Sequence, residues 1–254
     1  MGVRPAVVDE VRLAQLADRF PSAPVGELRR FLRKRSAVDA AAELYAASLR
    51  WRAGPGSPER LSAAAAAVPW GWIRTAGCAM DGSRLVLVQG ARFDPAVPAE
   101  EYALACAEAL DQAAPTGGSA KATILIDLRP CEGWANMPAA KMLTFMKCAA
   151  RVLPDKYPDR ADRFILYPMT PIVKYFWSLV SGFLDKAVRD QFVMLAGSAS
   201  LGAPCPSELG EYVIVDQLPP DAHSMHEALP RALGERNETT PLAAAALAPH
   251  ETTP

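Results

Sequence analysis

The run Ala122-Thr-Ile-Leu-Ile-Asp-Leu128 constrains this chain's fold more than any other stretch. It is strand-length and almost continuously apolar, the mark of a strand covered on both faces. Covered strands of this kind sit in parallel sheets, whose crossover connections are long enough to hold helices. The flanking sequence supplies those helices, with apolar residues at helical spacing over 99–113 and 138–153. Further short strands are predicted over Phe164–Tyr167 and Phe192–Ala196. Trp72–Ala76 and Arg84–Val88 flank Met80-Asp81-Gly82-Ser83, a turn signal that predicts a hairpin. The fold class that follows is α/β, with a mixed, mainly parallel sheet flanked by helices.

Residues 8–68 read as a separate helical subdomain, 69–226 as the α/β domain and 227–254 as a disordered tail rich in Ala, Pro, Thr and Glu. In the subdomain, Val11, Leu13, Leu16, Ala17 and Phe20 mark one helix, ended by Pro21 and Pro24. Leu28, Phe31 and Leu32 mark a second, carrying Arg29, Arg30, Arg33, Lys34 and Arg35. Ser36 is expected to cap a third, with Ala40, Ala41, Leu44, Ala47 and Trp51 as its buried stripe. Ser57-Pro58-Glu59 opens a fourth, with proline at its favoured first position.

Among 254 residues, a net charge of −1 gives no global field toward nucleic acid or an anionic membrane. The N-terminus lacks the long apolar core of a secretory signal. Gly2 is no myristoylation site, because Ala6 stands where the motif wants Ser or Thr. Five dispersed cysteines read as reduced thiols, and the three histidines, all beyond residue 220, give no Cys/His metal spacing. The sequon at Asn237 reads as chance. No cofactor is expected.

Residues 172–184 form the least ordinary helix. Ile172, Phe176, Leu179 and Phe183 make one stripe; Val173, Trp177, Val180 and Leu184 make its neighbour. Only a thin polar line remains, at Lys174, Ser178 and Ser181. A helix resting on a core needs an apolar arc of somewhat over 100°, and this one has roughly twice that on the same wheel. Two readings stand: complete burial between sheet and helices, or a helix that covers an apolar cavity inward and meets a membrane outward.

Several motifs carry a family resemblance. Arg30-Phe-Leu-Arg-Lys-Arg35, followed by a helix ending in Trp51-Arg52, resembles the N-terminal motif of the CRAL-TRIO lipid-binding family. Tyr157-Pro-Asp-Arg160 and Phe183-Leu-Asp185 resemble its Tyr-Pro-Glu-Arg and Phe-Leu-Asp marks. Ile124–Leu128 is similar to its central strand, Cys78–Val88 to its Asp-x-x-Gly-Arg hairpin, and Cys205–Tyr212 to its Leu-Pro-x-Glu-Leu-Gly-Gly ending. The marks stand in order over about residues 9–220.

The resemblance implies a sheet flooring a large apolar pocket, gated by the helix at 172–184 and the segment to about Gln191. Members bind phospholipids or other hydrophobic molecules and exchange them at membranes. Leu143, Met146, Ile172, Phe176, Leu179, Val180, Phe183 and Val188 are the implied pocket and gate positions, and Met142, Met169 and Met194 are further candidates for the lining. Headgroup positions carried over from phosphoinositide-binding members are Arg35, Asp159 and Gln191. The family's lysine falls on Ser36, its glutamate on Asp159, its threonine on Val188 and its second lysine on Gln191. Those replacements argue against phosphatidylinositol and for another phospholipid or a neutral hydrophobe. The implied partners are that ligand and a transient membrane surface, in the cytoplasm. Trp134 either touches membrane or packs in a loop.

Catalytic signatures do not assemble. There is no Gly-x-Ser-x-Gly, and Pro115-Thr-Gly-Gly-Ser-Ala-Lys121 precedes a strand and lacks the Gly-Lys-Ser/Thr of a P-loop. No enzyme is expected. The competing function is an adaptor that keeps the fold, scaffolds a complex or binds a small GTPase, and tolerates a pocket filled by Leu143, Met146, Leu153 and Phe176.

Overall fold

The computed structural model describes residues 9–131, 139–184 and 186–223. Gly2, Trp134, Asp185, the sequon at Asn237 and the expected tail at 227–254 lie outside the described residues.

Three helices open the chain: α1 (Glu10–Arg19), α2 (Val25–Lys34) and α3 (Val38–Arg52). The Asp9 carboxylate caps α1 by accepting from the Val11 amide. Leu13, Leu16, Leu28, Phe31 and Tyr45 bury together, with the Tyr45 ring edge-on to Phe20 and Phe31 at 4.9 and 5.0 Å. This wedge turns α3 by about one residue from the expected stripe, so Ala41, Ala42, Tyr45 and Ser48 are buried. Ser36 does not cap α3. The cap position is Ala37, with no side-chain bond, and the Ser36 carbonyl instead accepts from Arg12. In α4 (Pro58–Ala67), Ser57 caps as expected by accepting from the Arg60 amide.

Among the described residues five strands follow: β1 (Ile73–Cys78), β2 (Arg84–Gln89), β3 (Ala122–Asp127), β4 (Ala161–Tyr167) and β5 (Phe192–Met194), in that spatial order. β1 and β2 form the antiparallel hairpin, and the other pairs are parallel. The crossovers are α5 (Ala99–Ala113), α6 (Ala139–Lys156) and α7 (Pro171–Val180), the last followed by a 3-10 turn at Ser181–Phe183 and by α8 (Lys186–Arg189). Strands laid down side by side with one crossover hand put every crossover helix on the same sheet face. The two faces show this division. Val86, Ile124 and Phe164 pack with Leu104, Leu110 and Leu153 of the helices. Leu85, Leu87, Leu125 and Ile165 pack with Leu195, Leu209, Val213 and Leu218 of the C-terminal segment.

That segment ends in α9 (Pro220–His223) and is pinned by buried charge. Arg129 pairs with Asp127 at 2.7 Å and also donates to the carbonyls of Ala203, Ala222 and His223. Burial pulls the Arg129 guanidinium down, but its bonds to Asp127 outweigh this and hold it above its ordinary pKa. Asp221 accepts from both Arg74 and Arg92.

On the helical face, α6 docks through an aromatic cluster. Phe145 meets Trp72 at 5.4 Å, Trp72 meets Tyr102 at 4.5 Å, and Phe93 stacks on Tyr102 at 4.4 Å. The buried line of α6 is therefore Phe145 and Ala149. Leu143, Met146 and Ala150 are half-buried beside it.

Candidate functional site

Helix α7 is capped by the Thr170 hydroxyl, which accepts from the Val173 amide, and starts with Pro171. Its two apolar stripes diverge. Val180 is buried, Val173 and Trp177 are half-buried, and the Trp177 ring lies 4.5 Å from that of Phe192 on β5. Phe192 in turn stacks on Phe164 of β4 at 4.6 Å. On the outer side, Ile172 is 70% exposed, Tyr175 66% and Leu179 46%. The fully buried reading of this helix is thereby corrected. As the last crossover, α7 covers the β4–β5 edge and has no further layer outside it among the described residues.

Under α7 lies a cleft of about 420 Å³, open to solvent and lined by Met169, Lys174, Trp177, Met194 and Ala196. Ile126, Phe164, Phe192 and Met194 stay only half-buried on the sheet face toward α7. Of the expected pocket and gate positions, Val180 and Phe176 sit on the inward half of α7, and Ile172 and Leu179 on its outer surface. Leu143 and Met146 are half-buried on α6, and Met146 packs against the aromatic cluster. Val188 is half-buried in α8, and its carbonyl accepts from the Gln191 amide at 3.1 Å. Phe183 closes the 3-10 turn after α7. Met169 and Met194 do line the cleft. Lys174 and Trp177 belong to the lining too, although sequence reasoning placed Lys174 only on a polar line.

The headgroup positions lie elsewhere. Asp159 precedes β4 and Gln191 precedes β5, at the amino ends of parallel strands. The cleft lies at their carboxyl ends. Asp159 adopts a left-handed conformation (φ 56°), and its carboxylate is held by Arg33 and by Lys121, each at 2.5 Å. Its carbonyl accepts from Arg30 at 2.6 Å. Gln191 donates to the Ala161 carbonyl at 3.5 Å.

Arg35 is exposed at the end of α2 and donates to the neighbouring Lys34 carbonyl at 3.4 Å. The arginines that reach the Asp159 turn are Arg30 and Arg33, because their spacing of three puts them on one helix face while residue 35 lies past the helix end. The basic run is thus largely a brace. Arg29 pairs with Glu10 at 2.7 Å, and Arg30 is buried against the carbonyls of Asp159, Gly118 and Ala120.

The sequence profile of the CRAL/TRIO domain matches residues 78–221. Among solved structures, this chain is similar to the crystal structure of Sfh5, with 13% sequence identity and a TM-score of 0.57. The match covers 83% of this chain and 77% of that one, and it shows a shared fold. No curated protein matches the sequence significantly.

Proposed function

This chain belongs to the CRAL/TRIO domain family, a family of lipid-binding proteins, and on that footing we propose that it carries a hydrophobic ligand under α7. The ligand is a phospholipid or another hydrophobic molecule, passed between membranes or presented to a partner in the cytoplasm. The supporting observation is that α7 is apolar on both sides while only its inner side is covered. Exposed apolar patches of this kind mark interaction surfaces. Contact of Ile172, Tyr175 and Leu179 with lipid would favour a state in which α7 swings from the sheet, a population shift set by differential affinity. No helix among the described residues is long and apolar enough to cross a membrane, so the contact would be peripheral.

A second reading, an adaptor without cargo, draws support from the modest cleft and from Met146 and Leu153 packing into the core. Native mass spectrometry of the purified protein, followed by lipid extraction, separates the two. A stoichiometric lipid supports the carrier. An empty protein that also takes up no fluorescent phospholipid or sterol from vesicles supports the adaptor.

A further inference from the structure

Among the described residues, the cleft under α7 has one charged lining residue, Lys174, beside two methionines, a tryptophan and an alanine. Neighbouring cations elsewhere on the fold are held by acids: Lys121 by Asp159 and Asp162, Lys186 by Asp190, Arg33 by Asp159. The Lys174 ammonium has no ion pair or hydrogen bond among the described residues. Its four-carbon stem can lie along the apolar wall while the charge stays at the mouth. A lone cation at the rim of an apolar cleft selects a ligand whose polar end is negative, because water screens the pair less there than on an open surface.

Size narrows the ligand further. At about 420 Å³ the cleft lies toward the lower end of ligand sites, which span about 300–1,000 Å³. It suits one acyl chain rather than two. Met169 and Met194 suit a chain of variable shape, since the thioether side chain adapts to irregular apolar ligands.

We propose that the cleft binds a single-chain amphiphile with an anionic head, and that Lys174 is its counter-charge. A long-chain carboxylate and a monoacyl or monoalkyl phosphate share this chemistry. The proposal rests on the reading of the cleft as a ligand site. It adds the charge and the chain number, and it places the head at the carboxyl end of the sheet, away from Asp159 and Gln191.

Isothermal titration calorimetry of the full chain at pH 8 tests it, with dodecanoate, dodecyl phosphate and dodecanol as probes. At least one anion is expected to bind about tenfold or more tightly than the alcohol, and the ratio of the two anions tells carboxylate from phosphate. Lys174→Met should erase that preference, and Lys174→Arg should keep it. Lys174 is exposed on α7, so both variants should retain the parent's thermal midpoint. Equal binding of all three probes, or a preference that survives Lys174→Met, overturns the role of the charge but not the ligand site. Failure of all three, with phosphatidylcholine still extracted from vesicles, overturns the single-chain assignment and leaves the carrier. Failure of the probes and of every vesicle lipid overturns both.

Discussion

Arg160 and Glu27 meet as a buried ion pair across 133 residues of sequence, with guanidinium nitrogen Nη2 2.8 and 3.0 Å from the two carboxylate oxygens. Their side chains are 0% and 3% exposed. Arg160 also donates to the Ala114 carbonyl and the Thr116 hydroxyl, so one side chain joins α2, the loop after α5 and the start of β4. The N-terminal helices are therefore locked to the sheet domain.

Removing one partner of such a pair leaves a charge buried without compensation, at a cost of about 3–5 kcal/mol. Glu27→Gln or Arg160→Met alone should lower stability by about that amount, read from urea unfolding. The double variant Glu27→Leu with Arg160→Met should recover only part of the loss, because buried Arg30, 3.8 Å from Glu27, loses that carboxylate as well. Additive losses in the cycle would show that the two residues act independently.

On the outer face of α7, Ile172→Asp and Leu179→Asp should change stability by less than about 0.5 kcal/mol, since both sites face solvent. The same variants should weaken cosedimentation with vesicles and slow lipid transfer. Val180→Asp, at a buried site on the same helix, should unfold the protein or cost several kcal/mol. Unchanged vesicle binding in the two surface variants would remove α7 from the membrane contact.

Phosphatidylinositol should be a poor ligand for the parent chain. Gln191 sits at the amino end of β5, away from the cleft, so Val188→Thr with Gln191→Lys should leave the ratio of phosphatidylinositol to phosphatidylcholine uptake from mixed vesicles unchanged. A rise of about tenfold or more, the size of one charge-assisted bond of about 1.5–3 kcal/mol, would place the headgroup at residues 188 and 191 instead.

The Tyr102 phenol gives a pH signature. Burial pushes it up to about 12, although its hydrogen bond with Asp94 pulls the other way. An unfolded tyrosine ionises near 10. Because the folded value is raised, the contribution is complete below pH about 10 and is lost as pH climbs toward about 12. The loss amounts to about 2 kcal/mol by the top of that window. Thermal midpoints should fall over this range, and less steeply in Tyr102→Phe, which starts lower at neutral pH after losing its bonds to the Asp94 backbone.

Much of the scaffold can be read directly from residues. The bounds of α5 at Ala99 and Ala113 and the core of β3 follow from local pattern, because apolar period and strand length are properties of the segment itself. What escaped depends on partners distant in sequence. The twist of α3 toward Ala42 and Ser48 reflects where Tyr45 finds Phe20 and Phe31. The choice of Arg33 over Arg35 depends on where the turn at Asp159 arrives. Lys174 looked like part of a solvated line, and only the approach of Met169 and Met194 makes it part of a cleft. The wide apolar arc of α7 was visible in sequence, but which stripe faces inward was set by the Phe192 ring under Trp177.

The sequential strand order also sets the order in which backbone amides should meet solvent. β5 has three residues and a single neighbouring strand, and it carries α7. The lock between Arg160 and Glu27 grips the amino end of β4. Peeling β5 with its helix from Phe164–Leu166 would forfeit that short ladder, the Phe192–Phe164 stack and the burial of Val180, and leave the lock and β1–β4 paired. Amides of 192–194 should therefore exchange deuterium by a sub-global opening, while those of 124–126 wait for global unfolding. On the proposed carrier reading, loading and release of cargo would then proceed at the rhythm of one hem of the sheet, without the protein ever surrendering its fold.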